Sequence, residues 1–416
     1  MIRHFTTKRD LIGGFANAMN RISPEVENHH EKDAYLAYRL AEALDMDEQQ
    51  RSLAFAGGLL HDIGGILKRG DVSLLDLEMS AGQVASAGAA LLKTFPSASP
   101  FAQVVQESQT PWHRLKKLHA NLKAPQRIGQ VIHLADAVTL LLDATAPVLN
   151  QVGQIRQAIR CGGETEFSPE VLSAFEKLCA RESVWMDVMY RPQLFLELIA
   201  DNRWLTLDET VRLTEFMSKI IDFRSPFTAM HSAGVAATAA ALAELTGMSG
   251  DECKMMRIAG YVHDIGKLKR PTEILEKPGK LTDAEFNVMK EHVYYTWILL
   301  KDVKGFEQIA PWAAFHHEKL NGAGYPFHLP ESELSLGSRI MTVADVFSAI
   351  TEDRPYRQGM DREQVIAVLC ADARQGALSE SLVRLLVDHY DAINARRDAE
   401  SRAASKKYRE SLANHP

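Results

Sequence analysis

The feature that most constrains this chain is an internal repeat. The segment GGLLHDIG at 57–64 recurs as AGYVHDIG at 259–266, and the second copy follows the first by 202 positions, from His61 to His263. The same offset aligns further residues without a gap: His29 with His231, Leu40 with Leu242, and Met46 with Met248. Self-similarity over such a distance predicts two related domains in tandem.

The spacing of apolar residues predicts that both domains are helical. Apolar side chains recur at helical spacing, as in AYLAYRLA at 34–41, and sustained period-two alternation is scarce. Capping boxes mark helix starts in the second half: Thr206 with Glu209, Ser249 with Glu252, and Thr282 with Glu285. We therefore expect an all-α fold of two helical bundles, at 1–202 and 203–395, followed by a charged, solvated tail at 396–416.

Composition and charge exclude several classes of protein. The 47 basic residues stand against 54 acidic ones, and the net charge of −7 gives no overall attraction to polymeric DNA or RNA. No uninterrupted apolar run approaches the ~18 residues of a membrane helix, and the first residues lack the pattern of a signal peptide. The four cysteines form no C-x-x-C pair. We expect a cytoplasmic protein without a membrane segment, and the sequence leaves open whether it forms a homo-oligomer.

The repeated His–Asp pair is the main indication of chemistry. An imidazole and a neighbouring carboxylate bind divalent metals together, and the two oxygens of an aspartate allow it to bridge two ions. Asp264 is the candidate bridge in the second domain. The other ligand-type residues of that domain are His231, His263, His292, His316, His317 and Asp345.

With its surrounding motifs, the second domain resembles the HD-GYP phosphodiesterases, a metal-dependent branch of the HD superfamily. The resemblance covers roughly 206–390. The matching motifs are HS at 231–232, HDIGK at 263–267, KPGKL at 277–281, EH at 291–292, HHE at 316–318, GYP at 324–326, ADVF at 344–347 and DRPYR at 353–357. The number and order of these motifs make the resemblance specific.

The resemblance implies a helical bundle around two, or in some members three, transition-metal ions, which hydrolyses cyclic dinucleotides through a metal-bridging hydroxide. Carried over by motif, the ligands of one metal are His231, His263, Asp264 and Asp345, and those of the other are Asp264, His292, His316 and His317. Members with a third metal carry carboxylates at the positions of Phe227 and Ser348, so we expect two metals here. The nitrogen-rich ligand set suits iron, manganese or zinc better than magnesium or calcium, and among these the resemblance favours iron or manganese.

The resemblance also implies roles for residues around the metals. Asp264 and Lys267 are the expected catalytic residues, and the implied substrate-binding residues are Lys267, Arg354, Arg357 and Tyr325. The glycines beside Tyr325 allow a tight turn, so this segment is expected either to contact the substrate or to shape its loop. Asn321 occupies a position at which the family usually has Asp.

The first domain retains fewer of these residues. Its counterparts of the metal ligands are His29, His61, Asp62 and Asp136, the one-metal set of the broader HD superfamily. Ser108 and Gln109 stand approximately where the second domain has paired histidines, and Gly65 replaces the lysine. Three roles stay open for this domain: a relic that packs against the catalytic domain, a one-metal phosphohydrolase, or a ligand sensor.

We therefore expect a cytoplasmic phosphodiesterase that opens cyclic di-GMP or 3′3′-cyclic GMP-AMP to a linear dinucleotide or to mononucleotides. The alternatives are another HD phosphohydrolase, such as a nucleotidase, and a sensor that binds a cyclic dinucleotide without hydrolysing it. The sequence leaves the base preference open.

Overall fold

The protein is described here by a computed structural model. It describes residues 4–19, 28–67, 81–93, 98–118, 121–191, 196–198, 202–223, 230–270, 272–275, 277, 279–353 and 358–413. These residues form two compact units. The N-terminal unit comprises the described residues from 28 to 198, and the C-terminal unit comprises residues 4–19 together with the described residues from 202 to 413.

The described elements are almost entirely helical. Those before residue 202 are β1 (Thr6–Thr7), α1 (Lys8–Met19), α2 (His29–Ala43), α3 (Glu48–Leu60), α4 (Ala81–Lys93), α5 (Ser99–Glu107), α6 (Trp112–Leu118), α7 (Ala124–Leu140), α8 (Val148–Glu166), α9 (Pro169–Cys179) and α10 (Glu182–Tyr190). Those after it are β2 (Trp204–Leu205), α11 (Leu207–Phe223), α12 (His231–Leu245), α13 (Gly250–Val262), α14 (Thr272–Leu275), α15 (Asp283–Leu300), α16 (Ile309–Ala314), α17 (Leu336–Thr351), α18 (Arg362–Arg374), α19 (Glu380–Asp388) and α20 (Tyr390–Ala413). Short 3-10 helices lie at Ile63–Leu67, Ile265–Lys269 and Glu331–Glu333.

The sequence repeat is a structural repeat. In the N-terminal unit α2 packs on α3, and in the C-terminal unit α12 packs on α13. A side chain at Gly260 would place its Cβ 2.4 Å from the Cα of Ala236, and one at Gly58 would lie 2.8 Å from the Cα of Ala34. Both helix pairs therefore need a glycine at the crossing, because the two backbones approach too closely for any side chain.

The predicted helix starts are present. The Ser249 and Glu252 pair caps α13 reciprocally, and Thr282 and Glu285 do the same at the start of α15. The Thr206 amide donates to the Glu209 carboxylate before α11. Each box satisfies backbone amides that have no partner within the helix.

The first residues belong to the C-terminal unit, whereas the sequence placed them in a domain at 1–202. Strand β1 pairs antiparallel with β2, with Thr6 opposite Leu205. Phe5 is buried and lies 6.2 Å from the ring of Phe306. The sequence repeat gives no sign of this arrangement, because a two-residue strand pair carries no periodic pattern.

The first part of the predicted solvated tail, up to Ala404, is instead part of a packed helix. Helix α20 continues through Ala413, and one of its faces is buried at Ile393, Arg397, Ser401 and Ala404. The hydroxyl of Ser401 donates to the carbonyl of Met230, 3.1 Å away. Helix α20 packs on the alanine-rich α12. Because the side chains of α12 are small, the two helices lie close together, and small side chains and the aliphatic part of an arginine on α20 cover this surface of α12. Beyond Ile393 the buried positions are Arg397, Ser401 and Ala404, none of them a large apolar residue, so the sequence pattern did not reveal this face.

No helix in the described part of the chain combines the length and the apolar character needed to span a membrane.

Candidate metal centres

The C-terminal unit brings together all seven residues that the sequence nominated as metal ligands. His231 begins α12, His263 and Asp264 follow α13, and the remaining four lie in or next to three further helices: His292 in α15, His316 and His317 after α16, and Asp345 in α17. All are buried except His317, whose side chain is 28% exposed.

Asp264 lies between two groups of histidines. Its Oδ2 atom is 3.2 Å from Nε2 of His263, whereas its Oδ1 atom is 3.4 Å from Nε2 of His292 and 3.9 Å from Nε2 of His316. The two carboxylate oxygens thus face opposite groups. This arrangement suits a carboxylate that bridges two cations.

Asp345 also faces both groups. Its Oδ1 lies 3.0 Å from Nε2 of His231, and its Oδ2 lies 3.7 Å from Nδ1 of His317. The sequence had assigned this aspartate to one metal only. The geometry gives the centre a second carboxylate with an oxygen directed at each group.

Backbone carbonyls orient three of the histidines. The Nδ1 atoms of His263, His292 and His316 lie 2.8, 2.6 and 2.7 Å from the carbonyl oxygens three residues earlier. A carbonyl only accepts, so each Nδ1 carries a hydrogen, and Nε2 is the atom of each ring that faces the centre. Histidine ligands of metals in proteins are commonly held in this way.

Four donor atoms of this centre have no hydrogen-bond partner among the described residues. They are Nε2 of His263, His292 and His316, and Oδ1 of Asp264. Burial lowers the pKa of His292 to about 3 and that of His316 to about 4, so both rings are neutral near pH 7. Unpaired buried polar atoms are costly, and neutral imidazoles beside carboxylates are the donors that a transition metal takes. The residues present therefore fit a metal centre.

Two glutamates that the sequence did not single out support the centre. Glu318 is fully buried and accepts hydrogen bonds from the amides of Phe327 and Leu329, which fixes the loop that contains the GYP segment. Glu352 is buried, and its Oε2 lies 3.0 Å from Nδ1 of His231. Glu318 directly follows the paired histidines, so its position in the HHE motif was the available signal.

The GYP loop lies against the paired histidines. The ring of Tyr325 is 4.9 Å from that of His317, and a Cβ at Gly324 would approach the Cα of Glu318 to 2.4 Å. Asn321 closes the loop, because its side-chain oxygen accepts from the amide of Ala323 and its amide donates to the carbonyl of Gln375. The departure from the usual Asp is thus accommodated by an amide donor that Asp lacks.

The structure describes two of the remaining residues that the sequence singled out, Lys267 and Ser348. The ammonium of Lys267 pairs with Oδ2 of Asp264, because the chain turns into a 3-10 helix after α13 and brings the lysine back to the aspartate. Ser348 is buried one turn after Asp345. Arg354, Arg357 and Phe227 lie outside the described residues.

The N-terminal unit also brings its four nominated residues together. Nε2 of His61 lies 2.9 Å from Oδ2 of Asp62, and Nε2 of His29 lies 3.3 Å from Oδ1 of Asp136. Near the position of the paired histidines of the other unit, the amide of Gln109 donates to Oδ2 of Asp136 at 2.7 Å. This unit therefore has a ligand set of the one-metal kind.

Comparison with known proteins identifies the family. Residues 25–141 and residues 215–379 each match a family described as HD domain. The chain is 31% identical over 391 residues to 3′3′-cGAMP-specific phosphodiesterase 1 of Vibrio cholerae, and the match covers 89% of each protein. The chain belongs to the HD-GYP phosphodiesterase family. It is therefore a phosphohydrolase of the metal-dependent HD type, and the predicted all-α fold with two HD domains is confirmed.

Further relatives of this HD-GYP protein agree with the assignment. Cyclic di-GMP phosphodiesterase PA4108 of Pseudomonas aeruginosa is 39% identical over 141 residues, 34% of each chain. The crystal structure of the cyclic GMP-AMP specific phosphodiesterase V-cGAP3 of V. cholerae superimposes with a TM-score of 0.63 at 20% identity, over 93% of this chain and 98% of that one. At that identity the superposition shows a shared fold.

Proposed function

We propose that this HD-GYP enzyme hydrolyses a phosphodiester bond of a cyclic dinucleotide, either cyclic di-GMP or 3′3′-cyclic GMP-AMP. The observation that carries the proposal is the position of Asp264, whose two oxygens face separate histidine groups at 3.2 and 3.4 Å. A bridging carboxylate between two nitrogen-rich groups is the arrangement that a two-metal hydrolase needs. The relatives named above support the substrate class.

The proposed ligands follow the two groups. His231, His263, Asp264 and Asp345 would hold one cation, and Asp264, His292, His316 and His317 the other. Five imidazoles and two carboxylates suit iron, manganese or zinc better than magnesium or calcium, and iron or manganese is the proposed pair. Two bound cations supply charge neutralisation of the phosphodiester and a water of lowered pKa.

The chain's own residues prepare this site. Burial alone would raise the pKa of Asp264, but His263 and Lys267 hold that pKa well below its usual range, so the carboxylate is ionised. The Lys267 ammonium, 21% exposed, is placed beside the bridge, where it can turn to a phosphate oxygen. Arg354 and Arg357 are proposed as further phosphate contacts.

An aromatic wall next to the paired histidines favours a nucleotide as substrate. Tyr325 lies between His317 and Phe286, with ring centroids 4.9 and 5.9 Å apart. Phe286 is 40% exposed, and the Lys290 ammonium lies 4.8 Å from its ring centre. Exposed aromatic rings beside a cation are typical platforms for nucleobases. Tyr325 and Phe286 are therefore proposed to bind a base.

The domain at 203–395 is the proposed catalytic domain. The cytoplasm is the proposed location of the enzyme. The four cysteines are free thiols, one of them exposed, as is usual in a reducing compartment. A cyclic dinucleotide is the proposed partner, and the net charge of −7 argues against polymeric nucleic acid.

The test is hydrolysis by the full chain loaded with Mn²⁺ or Fe²⁺. Cyclic di-GMP, 3′3′-cyclic GMP-AMP and a nucleoside monophosphate are offered separately, and products are separated by chromatography. The proposal predicts ring opening of at least one cyclic dinucleotide and its loss after chelation. Hydrolysis of the monophosphate alone would instead support a nucleotidase, and tight binding of a cyclic dinucleotide without turnover would support a sensor.

A further inference from the structure

A second set of buried donor atoms converges in the N-terminal unit, and it includes a residue outside the sequence repeat. One donor atom from each of four residues lies within 4.8 Å of the others: His29, Asp33, His61 and Asp136. The Oδ2 atom of Asp33 is 3.3 Å from Nε2 of both histidines. Asp33 follows His29 by one helical turn on α2, so both side chains point to the same face.

Three of these atoms have no hydrogen-bond partner among the described residues: Nε2 of His29, Nε2 of His61 and Oδ2 of Asp33. The side chains of Asp33 and His61 are fully buried, and that of His29 is 5% exposed. The donor atoms of the C-terminal centre show the same pattern. Several unpaired buried donors directed at one point indicate a bound ion, because each would otherwise cost its full desolvation.

Asp33 is specific to this unit. The repeat offset places Val235 at the equivalent position of the C-terminal unit. The hydroxyl of Thr139 donates to Oδ1 of Asp33 at 2.5 Å, which leaves Oδ2 directed at the two histidines. Oδ2 of Asp62 lies 2.9 Å from Nε2 of His61 and adds a further oxygen.

We propose that the N-terminal unit binds one divalent cation at a structural site, with Asp33 as a ligand that the C-terminal unit lacks. The site offers two imidazole nitrogens and three carboxylates, a mixed set that suits Mn²⁺ or Fe²⁺. Its ligands come from α2, the turn after α3, and α7, so the cation joins three segments of the unit. Two imidazoles and three carboxylates can complete the coordination of one cation without a substrate, as the ligands of structural metals do.

The surroundings do not favour a phosphate ester. A cavity of about 550 Å³ opens onto the site. Its lining includes the ligands His29, Asp62 and Asp136 as well as Gln109, His133 and Glu166. Within the described part of the chain, none of the residues that line it is Lys or Arg. Gly65 stands at the position of Lys267, and Gln109 occupies the place of a histidine ligand. An anionic substrate would face the carboxylates of Asp62, Asp136 and Glu166, and no Lys or Arg in the described lining would compensate their charge.

The test measures metal content rather than activity, so it is independent of the proposed hydrolysis. Full-length protein is stripped with a chelator, and Mn²⁺ binding is followed by the electron paramagnetic resonance of free Mn²⁺. The wild type is compared with Asp33→Val, which installs the residue of the other unit, with the isosteric Asp33→Asn, and with Glu48→Gln, an exposed control on α3. Each of these proteins is also made with the additional substitution Asp264→Asn, which removes the proposed bridge of the C-terminal centre.

We expect a site that survives Asp264→Asn and whose Kd rises at least about tenfold in both Asp33 variants. The Glu48→Gln control should bind as the wild type does. Mn²⁺ should raise the melting temperature of the Asp264→Asn protein, and Asp33→Val should remove that rise. Unchanged Mn²⁺ binding in the folded Asp33→Asn protein would overturn the proposal. An Asp264→Asn protein that binds no Mn²⁺ would also overturn the proposal, because it would show that Asp33 pairs with the histidines without binding a cation.

Discussion

The Nδ1 atom of His231 lies 3.0 Å from Oε2 of Glu352, a buried carboxylate one turn beyond Ser348. The Nε2 atom of the same ring lies 3.0 Å from Oδ1 of Asp345. Glu352 therefore fixes the orientation of the imidazole, so that Nε2 is the nitrogen that faces the candidate metal centre. We expect Glu352 to act as a positioning residue.

Replacing Glu352 with Gln should weaken metal binding and hydrolysis together. A carboxylate that orients a histidine ligand typically contributes about 10- to 100-fold to metal affinity. We expect that loss in Mn²⁺ affinity, with kcat partly restored at high Mn²⁺. Glu333→Gln, on an exposed 3-10 helix, serves as the control. Equal Mn²⁺ affinity in the two variants would show that Glu352 has no positioning role.

Metal loading should release protons. Burial alone would lower the pKa of His231, but Glu352 and Asp345 raise it to about 10 in the metal-free protein, so the ring is protonated at pH 7. Its favourable contribution to the metal-free fold is complete below about pH 6.5 and is lost as the pH rises through about 10. A metal must displace this proton, so apparent metal affinity should rise with pH.

Calorimetry of Mn²⁺ binding in two buffers of different ionisation enthalpy measures that release. His231→Gln should release about one proton fewer per chain than the wild type. His292 and His316, with pKa values of about 3 and 4, contribute no proton at pH 7. Proton release that is the same in both proteins would contradict this description of His231.

Removing the ring of Phe286 should weaken substrate binding more than turnover. Stacking of a base on an aromatic side chain is worth about 1–3 kcal/mol, so Phe286→Ala should raise KM about tenfold with a smaller change in kcat. Phe286→Tyr keeps the ring and should behave as the wild type does. Steady-state kinetics on the preferred cyclic dinucleotide check this. A selective fall in kcat in Phe286→Ala would argue against a binding platform.

The packing of α20 predicts that a large side chain at Ser401 is destabilising. A Cβ at Gly234 would lie 2.8 Å from Oγ of Ser401, so the two helices are in close contact. Ser401→Leu should lower the free energy of unfolding by about 1–3 kcal/mol in urea denaturation. Arg402→Leu, at a side chain that is 80% exposed, is the matched control. Equal stabilities would mean that this part of α20 is solvated.

From the sequence alone, the residues of the candidate metal centre were easier to identify than the carboxylates that contact them. The His–Asp repeat and the ordered motifs were enough to nominate His231, His292 and Asp345, because ligand chemistry restricts these positions to few residue types. Glu352 and Asp33 were missed, since a lone carboxylate on a helix looks like a solvated residue until the fold buries it.

In the fold, too, the features with a local sequence signal were predicted and those that depend on distant contacts were not. Periodicity and capping boxes identified helices such as α13 and α15, whose start signals are local. The burial of Phe5 and of Ser401 depends on contacts between distant segments, and small or isolated side chains leave no periodic signal in the sequence.

The most direct test of the account compares two equivalent aspartates. Asp264→Asn removes the proposed bridge of the C-terminal centre, and Asp62→Asn makes the same change in the N-terminal unit. With saturating Mn²⁺, ring opening of the preferred cyclic dinucleotide should fall by more than about a hundredfold in Asp264→Asn. It should stay within about twofold of the wild type in Asp62→Asn. Ring opening that survives Asp264→Asn but is lost in Asp62→Asn would contradict the account.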